Sequence, residues 1–348
     1  PNVRVGMKTA FAKLGATIGE ITISPRKLAG YTSCGMCCSE AELGISDDNS
    51  GIMDITEDVE NGTDLKEIYD IDDIIFEVDN KSLTNRPDLW GHYGIAREIA
   101  TLTGRELKPL PVKDTKAYAS LPSVDLKIED ELCHRYSCIR FENITRKTSP
   151  VNMRIRLYYC GMRAINYLAD LTNYLMLEVG QPMHAFDSRK VEKIRVKRFD
   201  NEFSFTTLDG TERKIDDKTL MICNGDSPVA VAGIMGGLDS EIVEDTTSLT
   251  LESATFDAAS VRKSSSRLAL RTDASMRYEK SLDPELTVIA IERFIKLLSD
   301  YDEGVKVTSS LTDEYAYHYP EISLDFNKDF VNRYTGIEIP NSTIINTL

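Results

Sequence analysis

Three prolines set the first limit on what this chain can fold into. Pro109, Pro111 and Pro122 fall between Lys108 and Pro122, a stretch with neither helical nor alternating apolar periodicity. Each proline fixes φ and removes a backbone donor, so no helix or interior strand runs through it. The stretch reads as a linker, and we place a domain boundary near residue 115. Each side then needs its own core. A length of 348 residues, 41% hydrophobic and 28% charged, is enough for two or three domains.

Before the linker the chain reads as strands and then a helix. Ile18, Ile21, Thr22 and Ile23 are a β-branched cluster, and Asp47-Asp48-Asn49-Ser50 is a loop signal. A helix is expected from about Pro87 to Thr103. Pro87 suits a first turn, Gly104 suits a stop, and Leu89, Tyr93, Ala96, Ile99, Ala100 and Leu102 give an apolar stripe. After the linker, strands are expected at Leu126–Ile128, Cys138–Phe141, Lys193–Arg198 and Leu249–Leu251. Helices are expected from Ser149-Pro150 to about Met162 and over Asn166–Leu177. A further helix starts at Asp283-Pro284-Glu285, with Leu286, Ile289, Ala290, Phe294, Leu297 and Leu298 on one face. Tyr317-His318-Tyr319-Pro320 reads as a crossover, and Glu321 to Leu348 as the first piece of another domain.

The net charge of −15 argues against a generic nucleic-acid binder, because phosphate neutralisation needs bases. Any RNA contact must be local, and the charge is indeed uneven. Asp54 to Asp79 is acidic, with Lys66 its single base. Arg189 to Arg198 is basic, with Glu192 its single acid. Arg262, Lys263, Arg267, Arg271 and Arg277 form a second basic stretch. No apolar run approaches the roughly 20 residues of a bilayer span, and Pro1 to Leu14 has no signal-peptide core. Seven cysteines, an odd number without a framework spacing, fit a reducing, cytoplasmic compartment. Cys34 and Cys37 form a lone CxxC with no second pair for zinc, so no metal is expected.

Four segments carry polar residues where packing alone does not ask for them. They are Gly161–Asn166 with Asp170–Tyr174, Gly180–Asp187, Ala232–Gly237, and Leu251–Phe256 with Leu270–Ser275. Singly, each has a bland explanation. His184 fits a turn, Thr172 and Asn173 fit a helix cap or bend, and Gly233, Gly236 and Gly237 fit a hairpin. Glu252 fits an exposed strand end. There is no nucleophile elbow, Walker A or Rossmann fingerprint.

Together the segments closely resemble the editing module of bacterial phenylalanyl-tRNA synthetase β subunits. The match runs almost unbroken from Arg163 to Asp187, through Asn166, Asp170, Thr172-Asn173-Tyr174, Met176-Leu177-Glu178, Gly180-Gln181-Pro182 and His184-Ala185-Phe186-Asp187. It continues in Ala232–Gly237, Glu252-Ser253-Ala254 and Arg271–Asp283. Upstream, Asn85-Arg86-Pro87-Asp88 and Gly94–Glu98 resemble the family's helix beside the N-terminal domain. Lys27–Gly30, Gly35-Met36, Cys38-Ser39-Glu40 and Glu42-Leu43-Gly44 resemble its tRNA-binding OB-type domain, with Pro1–Arg4 similar to the middle of that domain. Ala164, Tyr167 and Met276 depart from the family pattern and are packing-type changes beside the expected site.

The resemblance implies an α+β multidomain chain. It would hold a partial OB-type β-barrel truncated at its start (1–62), a small α/β domain with linker (63–114), a mixed α/β editing domain (115–316) and the beginning of a further domain (317–348). It implies hydrolysis of mischarged tyrosyl-tRNA(Phe). Glu252 would accept the tyrosine phenol, and Thr272 and Ala274 would shape the pocket. His184, Thr172 and Asn173 would lie by the ester and terminal adenosine. Arg163 would make polar or phosphate contacts, and Gly236 would allow backbone approach. The implied partners are tRNA(Phe) and the synthetase α subunit in an α2β2 enzyme. ATP and Mg²⁺ would serve that full enzyme, with no cofactor in this stretch. The competing expectation is a non-catalytic tRNA- or protein-binding module with a vestigial pocket.

Overall fold

The computed structural model describes residues 2–348. The first sixty or so residues are rich in glycine turns, and they form three short antiparallel ladders. β1 (Phe11–Lys13) pairs with β6 (Gly35–Cys37), β2 (Thr17–Ile18) with β3 (Ile21–Thr22), and β4 (Arg26–Leu28) with β5 (Tyr31–Ser33). Among the described residues no sheet closes on itself, so the mixed α/β class holds but an assembled barrel is not seen. Gly15, Gly19 and Gly30, all at positive φ, turn the chain before any strand exceeds three residues. Ala10, Ala12, Ile23, Cys38, Met53, Ile55 and Tyr69 bury together against Ile155 further along the chain. Arg154 forks onto Glu40 at 2.7 and 2.9 Å and fastens the two parts.

After a single turn of helix, α1 (Leu65–Ile68), the expected long helix arrives in two pieces. Pro87–Trp90 is a 3₁₀ turn, Gly91 is extended, and α2 runs over His92–Thr103. The break has a steric cause. The Gly91 backbone lies so close to Gly180 that a Cβ on it would overlap the Gly180 nitrogen. Gly104, at φ +64°, ends α2 as expected. The proline linker then docks rather than hangs. The Arg293 guanidinium donates to the Pro111 carbonyl at 2.8 Å, and Glu292 Oε1 accepts from both the backbone N–H and the hydroxyl of Thr115.

The rest is built on two sheets. β7 (Asp125–Ile128) and β8 (Cys133–Glu142) precede α3 (Val151–Tyr159) and α4 (Tyr167–Val179). Seven strands follow: β9 (Met183–Asp187), β10 (Lys193–Lys197), β11 (Phe203–Thr206), β12 (Glu212–Ile215), β13 (Met221–Asn224), β14 (Ser227–Val231) and β15 (Met235–Gly236). Then come β16 (Leu249–Phe256), α5 (Ala258–Arg267), α6 (Asp273–Tyr278), α7 (Leu286–Tyr301), β17 (Lys306–Val307) and β18 (Thr312–Tyr315). One sheet has the order β17-β8-β16-β9, with β18 on the outer edge of β8. The other has the order β15-β14-β13-β10-β7, and β11-β12 is a separate hairpin. α8 (Lys328–Thr335) and α9 (Asn341–Thr347) bury no residue. No helix among the described residues is long and apolar enough to cross a membrane.

β16 is the centre of this arrangement, and all eight of its residues are buried. Side chains alternate across a strand. Leu249 and Leu251 join a core with Leu171 and Leu175 of α4 and with Ile291, Phe294, Ile295 and Leu298 of α7. Ala254 and Phe256 face the other way, into a core with Ile194, Val196, Met221, Ile222 and Val231 of the second sheet. The strands expected at Leu249–Leu251 and Cys138–Phe141 are the apolar parts of longer ones. Their polar remainders are buried by partners distant in sequence. Ile289, expected on the buried face of α7, is exposed, and Thr287, Ile291 and Ile295 take the inward positions.

Phe294 is fully buried, with its ring 5.6 Å from that of Phe141 on β8. Phe294→Ala should therefore destabilise the fold by about 3–5 kcal/mol, read as a lower urea midpoint at unchanged slope.

Candidate functional site

Antiparallel register decides which polar side chains meet. On β16 and β9, Glu252 stands directly opposite His184, so both point to the face toward the second sheet. Tyr136 on β8 reaches Glu252 from the other flank, and its hydroxyl donates to Glu252 Oε2 at 2.7 Å. Tyr136 is fully buried and Glu252 is 4% exposed. No second protein donor among the described residues bonds this carboxylate. Burial raises its pKa to about 7 despite the Tyr136 hydrogen bond, which pulls the other way.

The His184 ring stands edge-on to Phe186, with centroids 4.4 Å apart. Burial lowers its pKa to about 4. Its Nε2 atom is covered and has no hydrogen-bond partner. The opposing wall is the backbone of Gly236 on β15. A Cβ there would lie 2.6 Å from His184 Cε1, 2.8 Å from Nε2 and 3.0 Å from Leu208 Cδ1. Gly236 is therefore required for close approach, not for a positive φ. The backbone of β15 is held in place by pairing with β14 and by the Leu208 N–H, which donates to the Gly236 carbonyl at 3.0 Å.

Thr272 connects this wall to the next helix. Its hydroxyl donates to the Ile234 carbonyl at 2.9 Å and accepts from the Ser275 N–H in a capping box that starts α6. Ala274, half-buried on α6, packs against the core between the sheets. Thr172 and Asn173 lie on α4, which contacts β9 but packs its leucines on the face opposite the His184 ring. The buried Thr172 hydroxyl donates to the Ala169 carbonyl at 2.8 Å, whereas Asn173 is half-buried and its side chain makes no hydrogen bond among the described residues. Arg163 stands apart, exposed in the α3–α4 connection with no partner among the described residues. The structure thus brings Glu252, His184 and Gly236 together and sets Thr272 and Ala274 beside them. It places Thr172 and Asn173 behind β9 and leaves Arg163 on the surface.

Two residues were missed from the sequence. Tyr136 holds Glu252, and its place in an apparently mixed stretch (Cys133–Arg135 reads as polar) hid its burial. Gln181 is fully buried and donates to the Ala254 carbonyl at 2.9 Å, so the loop before β9 is tied to the end of β16. The Gly-Gln-Pro spacing marked the position but not this role. Among the described residues no group of three or more His, Cys, Asp or Glu is placed to hold a metal ion, and Cys34 and Cys37 are free and exposed.

The B3/4 domain family matches residues 132–303, the stretch that carries both sheets and the Glu252–His184 pair. Curated relatives extend the likeness to nearly the whole chain. The phenylalanine--tRNA ligase beta subunit of Clostridium acetobutylicum is 39% identical over 93% of this chain and 42% of its own length. That of Desulfotalea psychrophila is 42% identical over 90% of this chain and 39% of its own length. That of Syntrophus aciditrophicus is 39% identical over 100% of this chain and 44% of its own length. A solved N-terminal fragment of the phenylalanyl-tRNA synthetase beta subunit from Pyrococcus horikoshii covers 76% of this chain and 73% of its own, at 15% identity. Its TM-score of 0.35 is too low to support an argument. The chain spans about two-fifths of the length of these curated relatives. Identity near 40% along nearly all of it, together with the B3/4 domain, places the chain in the family of phenylalanine–tRNA ligase beta subunits.

Proposed function

We propose that this stretch hydrolyses mischarged tyrosyl-tRNA(Phe), with the pair on β9 and β16 as its working site. The observation that carries the reading is the buried, unpartnered His184 Nε2 against Gly236, one strand from a buried glutamate. A buried ring nitrogen left without a partner costs about 1–3 kcal/mol and calls for a use. In the reaction, water adds to the ester carbonyl, the ester C–O bond breaks, and the proton passes to the departing ribose hydroxyl. A neutral imidazole with a low pKa is a weak base, so His184 serves by accepting a hydrogen bond from the water and orienting it. Glu252 accepts the phenol of the wrong amino acid on its free oxygen. Thr272 and Ala274 bound the site beside it, and Gly236 lets the β15 backbone close on the imidazole. Thr172 and Asn173, on the α4 side of β9, and Arg163, on the surface, are given no part in the hydrolysis.

On the same reading, residues 1–62 are an OB-type element that helps to hold the RNA. The whole enzyme joins a β subunit of this kind to an α subunit in a cytoplasmic α2β2 assembly that attaches phenylalanine to tRNA(Phe). ATP and Mg²⁺ serve that attachment, and no residue of this chain is assigned to them. One observation favours the second reading, a binding module with a vestigial pocket. Glu252 is covered, and one of its oxygens is already shared with Tyr136.

Deacylation separates the two. The chain should clear tyrosyl-tRNA(Phe) and spare phenylalanyl-tRNA(Phe). Glu252→Ala should reduce that preference roughly tenfold or more, and Gly236→Ala should slow both reactions by displacing the imidazole. Undiminished, selective clearance by both variants would dismiss the assignment.

The pH dependence follows from the Glu252 carboxyl. The ionised acceptor form fills in as pH rises through about 7, so selectivity should grow across that window and stay flat in Glu252→Gln. Stability should move the opposite way. The folded carboxyl keeps a proton that an unfolded one, near 4.5, has released. Stability is therefore lost as pH climbs from about 4.5 to about 7, and Glu252→Gln should remove that part of the slope in urea titrations.

A further inference from the structure

Two basic stretches compete for the role of meeting RNA, and the structure separates them by what each base already touches. From Arg189 to Arg198 four of the six bases are matched: Arg189 with Asp187 and Asp245, Arg195 with Asp125, Lys197 with Asp226, and Arg198 with Asp130, all at 2.6–2.9 Å, while Lys190 donates to the Glu241 carbonyl and Lys193 has no carboxylate partner among the described residues. In the second stretch Arg267 pairs with Asp216 at 2.8 Å, and Arg277 is buried against Asp273 and the Trp90 carbonyl. Arg262 and Arg271 differ. Arg262 is exposed and has no carboxylate partner among the described residues. Arg271 is two-thirds exposed and makes one 3.2 Å contact with Glu279.

These two arginines line an open cleft of about 420 Å³ with Thr84, Glu279, Lys280 and Ser281. Lys280 also leans on Glu279 at 3.5 Å, and its ammonium lies 5.4 Å from the Trp90 ring centre. Three cations against one carboxylate leave an excess of two positive charges in a hollow of a chain whose net charge is −15. The hollow adjoins the site. Arg271 precedes Thr272, whose hydroxyl holds the Ile234 carbonyl two residues before Gly236.

We propose that this cleft binds phosphates of the RNA substrate, and that Arg262 and Arg271 are its anion ligands. Glu279 sets the wall by holding Arg271 and Lys280 toward the opening. A nucleic-acid backbone held there enters the Glu252–His184 site over the start of α6. The matched bases Arg195 and Lys197 on β10 contribute nothing to affinity. The proposal rests on the tRNA reading above but not on the hydrolysis step.

The test is binding of uncharged tRNA(Phe) to this chain across a series of salt concentrations. Each phosphate that a variant no longer neutralises lowers the log–log salt slope by about 0.7–0.9. Arg262→Ala with Arg271→Ala should weaken binding tenfold or more and reduce the slope by about 1–2. Arg195→Ala with Lys197→Ala should leave both unchanged. Arg262→Glu, at an exposed position with no partner to lose, should weaken binding without lowering the thermal midpoint. An unchanged slope in the cleft variants, or an equal loss in the β10 pair, overturns the proposal. Loss of binding in the cleft variants, with no deacylation by the unmodified chain, keeps this inference and sinks the hydrolysis instead.

Discussion

A strand with a neighbour on each edge and a packed layer on each face has no solvent to fall back on, and β16 is such a strand. Its ladder partners β8 and β9 fix which residues lie side by side. α7 closes one face and the second sheet closes the other. Every polar side chain it carries must then find a partner inside the protein or bear the cost of going without. Thr250 finds Ser188 and Arg140, and Glu252 finds Tyr136. Ser253 and Thr255 keep hydroxyls with no hydrogen-bond partner. A one-residue slip of β9 would turn His184 into the helical core and bring Ala185 opposite Glu252. The site therefore depends on register before it depends on any side chain.

The same burial sets the charge states. Glu252 is held toward its neutral form and His184 firmly in its neutral form, both chiefly by desolvation. Opposed across two strands, an acid and a base would be expected to form an ion pair. Here the low dielectric disfavours both charges, and the Tyr136 hydroxyl, rather than the imidazole, is the carboxylate's partner. Between about pH 4.5 and 6.5 the two groups oppose each other in their effect on stability. Neutral His184 gains stability as pH rises from about 4, whereas Glu252 loses it toward about 7. The wild-type profile across that interval is a difference of two opposing effects, and removing either group uncovers the other.

Much of this was legible in the sequence, for reasons that differ by element. α4 begins at Asn166 and ends at Gly180, a capping asparagine and a glycine at φ +83°, as its local signals require. α7 follows from Asp283, which accepts the Glu285 N–H. Strands buried on both faces were only half legible, because Glu252-Ser253-Ala254-Thr255 reads as exposed until a second sheet covers it. The hairpins from Phe203 to Gly236 carry no periodic signal strong enough to place them. The break at Gly91 depends on Gly180, a residue distant in sequence that no local rule can supply. Among the site residues, the grouping of Glu252, His184 and Gly236 came from their family pattern. Spacing alone left each with a bland explanation, because their meeting is a product of cross-strand register. Tyr136 was overlooked because a lone tyrosine between Arg135 and Ser137 carries no mark of burial.

Tyr136 also bears on how a site of this kind can choose between two amino acids that differ by one hydroxyl. A pocket that merely leaves room for the hydroxyl gains little discrimination, about a hundredfold at most. A carboxylate in low dielectric works differently, because any lone pair left unpaired costs about 1–3 kcal/mol. By occupying one oxygen, Tyr136 keeps Glu252 folded inside without satisfying it. On the proposed hydrolytic reading, the second oxygen would be left to a ligand that brings its own donor. A phenol would complete the pairing, whereas a phenyl ring would both fail to pair and displace any water that had done so. Selectivity on that reading would come from the penalty on the wrong fit, and its size would depend on how thoroughly β8, β16 and the second sheet keep solvent from Glu252. Loosening that packing by removing bulk from the inter-sheet core would let water relieve the unpaired oxygen, so on the proposed reading discrimination would erode before the fold does.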